Sequence, residues 1–192
     1  MKKFEPIILM FLILLIISIV INSCNLDRKS KEKFAKKVNK YYDKEVIVIN
    51  FDSVFYKGEF INKDQVNNLY LSGIKIVTYV DGQCHTCTEA FNEWEDLIKM
   101  AKNNKELSIY FYVKTNNTKD FKEYYYSESI FDYPIIIDKN DNFIKKNGLQ
   151  GFEEPRTFLL NKENKIILVG NPIYGSKLMK LYKEQIIKRL KQ

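Results

Sequence analysis

Two cysteines separated by two residues, Cys84 and Cys87, have the clearest capacity for chemistry in this chain. A thiol can ionise, attack a disulfide, or close one with a neighbouring thiol. The pair follows at once on Ile74, Ile76, Val77, Tyr79 and Val80, a run with the character of a buried strand, which Asp81 and Gly82 should end. Beyond it, Cys87, Ala90, Phe91, Trp94, Leu97, Ile98 and Ala101 recur at the spacing of one helical face. The spacing thus puts the cysteines at a strand-to-helix junction, with Cys84 at or just before the first helical turn. Unpaired backbone N–H groups and the positive end of the helix dipole stabilise an anion there and lower a thiol pKa. A thiolate near neutral pH is what thiol–disulfide exchange requires.

Other uses of two cysteines fit less well. A static disulfide over two residues closes a very short loop and constrains the unfolded chain little. A zinc site needs about four ligands. No second cysteine pair exists, and the only histidine, His85, lies between the two thiols. Haem attachment needs His directly after the second Cys, where Thr88 stands. The thiols are themselves the redox group, so neither cofactor nor metal is expected.

The elements that must position the pair come next. Residues 1–23 have the make-up of a targeting segment: Lys2 and Lys3, then an almost unbroken apolar run from Ile7 to Ile21. That run is short for a membrane span of about 20 residues. The segment ends Ile21-Asn22-Ser23-Cys24, which resembles a bacterial lipoprotein signal in which the cysteine is lipidated. On that resemblance Cys24 is the lipid anchor, and Cys84 and Cys87 are the one remaining pair. An uncleaved signal anchor is the alternative, and either arrangement tethers the rest to a membrane in the bacterial envelope, facing the periplasm. Residues 24–44 form a tether rich in Lys and Arg, with Phe34, Val38 and Tyr41 at helical spacing. Such a basic helix suits an anionic membrane surface, or a solvated spacer. The chain carries +7, but no further cluster of charge suggests nucleic acid.

Residues 45–192 supply one packed domain. Val46–Ile49 and Val54–Tyr56 suggest a hairpin or two short strands, and 62–71 a connector. Leu107–Val113 is a second buried strand, parallel to the first because a helix separates them. A helix follows over 118–127, with Thr118 as N-cap. Then come a short strand at 134–137, a helical turn at 143–149, a hairpin of 155–160 with 165–170, and a closing helix marked by Leu178, Leu181, Tyr182, Ile186 and Leu190.

This order, with the strand–Cys84-His85-Thr86-Cys87–helix unit and the run from Tyr133-Pro134 to Pro155-Arg156-Thr157-Phe158-Leu159-Leu160, resembles the thioredoxin fold in its TlpA-like form. The resemblance covers roughly 45–190. It implies an α/β domain with a central mixed β-sheet flanked by helices, an N-terminal strand extension, and a membrane anchor segment. It implies that Pro155 is a cis-proline facing the cysteines and that Glu154 and Pro155 dock a substrate strand. Departures from the family concern tuning. Gln83 stands where Trp is usual, His85 and Thr86 separate the cysteines, and Thr78 replaces a buried acid. A cationic His85 would make the disulfide more oxidising. The expected function is that of a membrane-tethered thiol–disulfide oxidoreductase. Cys84 exchanges disulfides with substrate proteins, Cys87 resolves the mixed disulfide, and a membrane thiol donor or acceptor recharges the pair, with the reductant direction preferred. Competing readings are a thioredoxin-fold binding module with a static bond, and a peroxiredoxin-like peroxidase. The latter would want Thr at Asp81 and Pro at Val77.

Overall fold

The computed structural model describes residues 32, 35–36, 38–49, 51–70, 73–84, 86, 90–128, 131–151 and 154–191, without the side chains of 67, 68 and 124–128. The lipoprotein-type signal, Cys24, His85 and Cys87 lie outside the described residues. Among those described, no helix is long and apolar enough to cross a membrane. The chain divides into two compact units, 1–41 and 42–192. In the first, the described residues from 32 to 41 are helical.

The second unit is built on a five-stranded mixed sheet. Strands β1 (Ser53–Tyr56) and β2 (Glu59–Asn62) form a hairpin ahead of it. Its two-residue turn, Lys57-Gly58, has positive φ at both positions (48° and 91°), the conformation whose twist matches the paired strands. A 3-10 segment (Lys63–Leu69) leads to β3 (Ile74–Asp81), and β4 (Leu107–Lys114), β5 (Ile136–Ile137), β6 (Thr157–Leu160) and β7 (Ile166–Val169) complete the sheet. The order across it is β5-β4-β3-β6-β7. β3, β4 and β5 are parallel, while β6 and β7 are antiparallel to their neighbours. Helices α1 (Glu95–Lys102), α2 (Thr118–Glu128), α3 (Asn142–Lys146) and α4 (Ser176–Leu190) make the connections and close the fold. The expected mixed sheet flanked by helices is thus present. β1 is joined to it by reciprocal hydrogen bonds between Phe55 and Ile135 (2.8 and 3.0 Å).

The central strands are buried on both faces, which is why they lack polar alternation. One face presents Ile74, Ile76, Leu107, Ile109, Phe111, Val113 and Leu159 to Phe91, Trp94, Leu97, Ile98 and Ala101 and to Tyr182 and Ile186 of α4. Phe111 is its hub, edge-on to Phe91, Trp94 and Phe131 with ring centroids 5.6, 5.0 and 5.1 Å away. The other face carries Val77, Tyr79, Tyr110, Tyr112 and Phe158, and Tyr112 stacks on Phe143 of α3 at 4.7 Å.

Several local expectations are corrected. Val46–Ile49 forms no ladder; only Glu45 bridges, to Lys165. Val46 N–H donates to the Asn164 carbonyl (2.9 Å), and beyond it side chains take over: Ile47 N–H donates to Asn147 Oδ1 (2.8 Å), and Ile49 N–H and C=O pair with the Tyr112 hydroxyl (2.9 and 3.0 Å). Asn117, not Thr118, caps α2, its Oδ1 accepting from Lys119 and Asp120 N–H (3.1 and 3.2 Å). The helix after the cysteines begins, as far as it is described, with a 3-10 turn at Ala90–Trp94 before α1, yet the anticipated apolar face is the buried one. Leu181 stays exposed.

Candidate active site

The site lies where β3 ends. Asp81 is the last strand residue and also the start of a tight turn: its carboxylate accepts the Gln83 N–H (3.0 Å), and its carbonyl accepts the Cys84 N–H (3.2 Å). An Asp side chain that ties down the N–H two residues on is a common way to fix such a turn. Gly82 locks it to the sheet, donating its N–H to Lys114 O (2.8 Å). A β-carbon at 82 would stand 2.8 Å from Val113 Cγ1 and 2.9 Å from Lys114 O, so the close approach needs glycine.

Cys84 is half-buried at the mouth of this turn, and its sulfur is held in a disulfide. Cys84 Sγ is 3.3 Å from the hydroxyl of Thr86, itself exposed. Thr86 is therefore in contact with the sulfur it was expected to tune. Phe91 and Trp94, buried beneath Phe111, anchor the segment that follows the cysteines.

Under the turn, Thr78 is buried and shares a 2.8 Å hydrogen bond with Thr157, its cross-strand partner on β6. Each hydroxyl satisfies the other, so no charge is buried there.

A cleft of about 660 Å³ opens beside the turn. Asp81, Ala90, Phe91 and Trp94 form one side, and Pro155, Arg156 and Thr157 another. Pro155 thus lines the same cleft as Asp81 of the cysteine turn. The expected cis bond is corrected: no peptide bond among the described residues is cis, so Glu154–Pro155 is trans. Here the chain enters β6 from a turn in which Glu154 N–H donates to Gly151 O (3.1 Å), and Tyr79 N–H picks up Arg156 O (2.9 Å) to continue the ladder.

Sequence reasoning missed a polar cluster on the cleft wall. The Tyr79 hydroxyl donates to Asp141, whose other oxygen accepts from Lys114 Nζ (2.9 Å), while the Arg156 guanidinium lies over the Tyr79 ring, 5.3 Å from its centroid. Burial pushes the Tyr79 hydroxyl well above its ordinary pKa, with Asp141 adding to the effect. Burial also raises the Asp141 carboxyl, but Tyr79, Lys114 and Lys145 outweigh it and hold the group below the usual carboxylate range. The members lie 15 to 77 positions apart, so only the fold assembles them; polar residues at the ends of otherwise apolar strands were the one available signal.

No family model matches this chain, and no curated protein matches it in sequence. Solved structures do. A candidate protein disulfide isomerase from Bacteroides thetaiotaomicron superposes with a TM-score of 0.58 at 15% identity, over 79% of this chain and 91% of the other. The thioredoxin domain of a thiol-disulfide oxidoreductase from Bacteroides vulgatus gives 0.52 at 16%, over 74% and 96%. A thiol-disulfide oxidoreductase from Bacteroides fragilis gives 0.51 at 17%, over 72% and 99%. At such identities the likeness is one of architecture, and it establishes that this chain has a thioredoxin-like fold.

Proposed function

We propose that the protein is a thiol–disulfide oxidoreductase tethered to a membrane of the bacterial envelope and facing the periplasm, with Cys84 as the exchanging thiol and Cys87 as its partner. The observation that carries this reading is a disulfide-bonded Cys84 at the strand-to-helix turn of a thioredoxin-like fold, beside an open cleft. In the reductant direction the Cys84 thiolate attacks one sulfur of a substrate disulfide. That S–S bond breaks, and the leaving sulfur departs as a thiolate and takes up a proton. The Cys87 thiolate then attacks Cys84 Sγ, releases the second substrate thiol, and leaves the Cys84–Cys87 disulfide. Two electrons have passed to the substrate, and a membrane thiol donor must return them.

His85 and Thr86 tune the pair, the residues around Pro155 dock the substrate, and Cys24 carries the lipid. The thiol-disulfide oxidoreductases of Bacteroides vulgatus and Bacteroides fragilis, which share this fold, support this chemistry. The test is turnover of a disulfide-bonded protein substrate by the reduced chain, with Cys84→Ser and Cys87→Ser variants. Cys84→Ser should abolish exchange, and Cys87→Ser should accumulate a mixed disulfide through Cys84. Undiminished exchange by Cys84→Ser would overturn the assignment.

A further inference from the structure

The cleft beside the cysteine turn is electrostatically uneven. Its charged lining residues are Lys114, Lys145 and Arg156 against Asp81 and Asp141, a balance of one positive charge. Asp141 is committed to Lys114 and to the Tyr79 hydroxyl. Asp81 is committed to its own turn, through the Gln83 N–H. Lys145 is exposed and donates to a carbonyl, Asn140 O (2.7 Å). Arg156 is half-buried, and its one side-chain hydrogen bond among the described residues is a long 3.5 Å contact with Gly151 O. Its guanidinium is held by the Tyr79 ring, and that ring is held by Asp141. A stacked guanidinium is planar and pre-oriented, and its N–H fork suits a carboxylate.

The cleft floor is apolar, with Ala90, Phe91, Trp94, Ile144 and Ile173, so it takes side chains rather than a bare ion. Taken together, these features point to one occupant. We propose that Arg156 is a specificity-determining residue. It receives the carboxylate of an Asp or Glu next to the reacting cysteine of a substrate polypeptide, with Tyr79 and Asp141 as its positioning residues. This rests on the disulfide-exchange reading and adds the substrate class: segments in which an acidic residue flanks the cystine.

The test uses the full chain in its reduced form and three cystine peptides that differ only in the residue after the attacked cysteine: Glu, Gln or Lys. The Glu peptide should have a kcat/KM about tenfold above the Lys peptide at low salt, as a charge-assisted contact in a partly enclosed site supports. The difference should sit in KM and shrink with added NaCl. Arg156→Gln should bring the ratio near unity by slowing the Glu peptide and speeding the Lys peptide, whereas a folding defect would slow both. Arg156→Lys, which keeps the charge but loses the planar stack, should retain part of the preference. Equal rates for Glu and Lys peptides on the unaltered chain would overturn the proposal and leave the exchange reading standing. Failure to reduce any of the three would overturn both.

Discussion

The two faces of the central sheet are equally buried but differently made. On the α1–α4 side the contacts are mainly hydrocarbon, Ile74, Ile76, Ile109, Phe111 and Val113 against Phe91, Trp94, Leu97 and Ile186, with the Tyr182 hydroxyl donating to Gly170 O (2.8 Å) as an exception. On the α3 side they are tyrosines, whose hydroxyls are spent on backbone or carboxylate partners, Tyr112 on Ile49 and Tyr79 on Asp141. The hydrocarbon face fixes the segment that follows the cysteines by close packing, which is non-directional and tolerant of drift. The tyrosine face places charged groups on the cleft wall by hydrogen bonds, which are directional. Cys84 follows β3 in a turn held by the hydrogen bonds of Asp81 and Gly82, so polar geometry fixes the turn and packing fixes the segment after it.

The comparison can be broken by mutation, from the largest effect down. Phe111→Ala should cost about 3–5 kcal/mol in urea unfolding, because it opens a cavity at the aromatic hub. Gly82→Ala forces a β-carbon against Val113 and Lys114 O. It should cost about 1–3 kcal/mol and disturb the cysteine turn with it. Tyr112→Phe keeps the ring but removes both hydrogen bonds to Ile49, for an expected loss of about 1–3 kcal/mol. A null result there would mean that the tyrosine face is held by packing alone. The smallest effect is a pH dependence. Asp141 is held below the usual carboxylate range in the folded state. Its contribution is therefore complete above an unfolded value of about 3.9, and is lost as pH falls through the lower folded value. Urea midpoints at pH 7 and at stepped values below about pH 4 should show Asp141→Asn destabilised at pH 7 and its deficit narrowing as pH falls through the folded value.

The hydrocarbon face was the legible one. Runs such as Ile74–Val80 and Leu107–Val113 are apolar enough to mark strands buried on both sides, and the 3–4 spacing through Phe91, Trp94 and Leu97 marks their cover. The cysteine turn was legible for the same reason, since it follows the end of one run and precedes the other. The tyrosine face was not. Val46–Ile49 has the residues of a strand, but the Ile47 and Ile49 amides are taken by Asn147 and Tyr112, 100 and 63 positions away. Nothing local distinguishes that arrangement from a ladder. The Lys57-Gly58 turn did carry a local signal, a glycine where φ must be positive, and it would have set the hairpin correctly. Asn117 and Thr118 are both good caps, and only the geometry of the loop chooses between them.

The central claim is that the Cys84 disulfide is a working bond. The most direct measurement is its reduction potential, obtained by equilibrating the protein with glutathione buffers and trapping free thiols. The account predicts a value in the range of exchanging pairs, between about −270 mV for a reductant and about −120 mV for an oxidant. A value below about −300 mV, in the range of structural disulfides, would contradict it and leave a thioredoxin-like binding module.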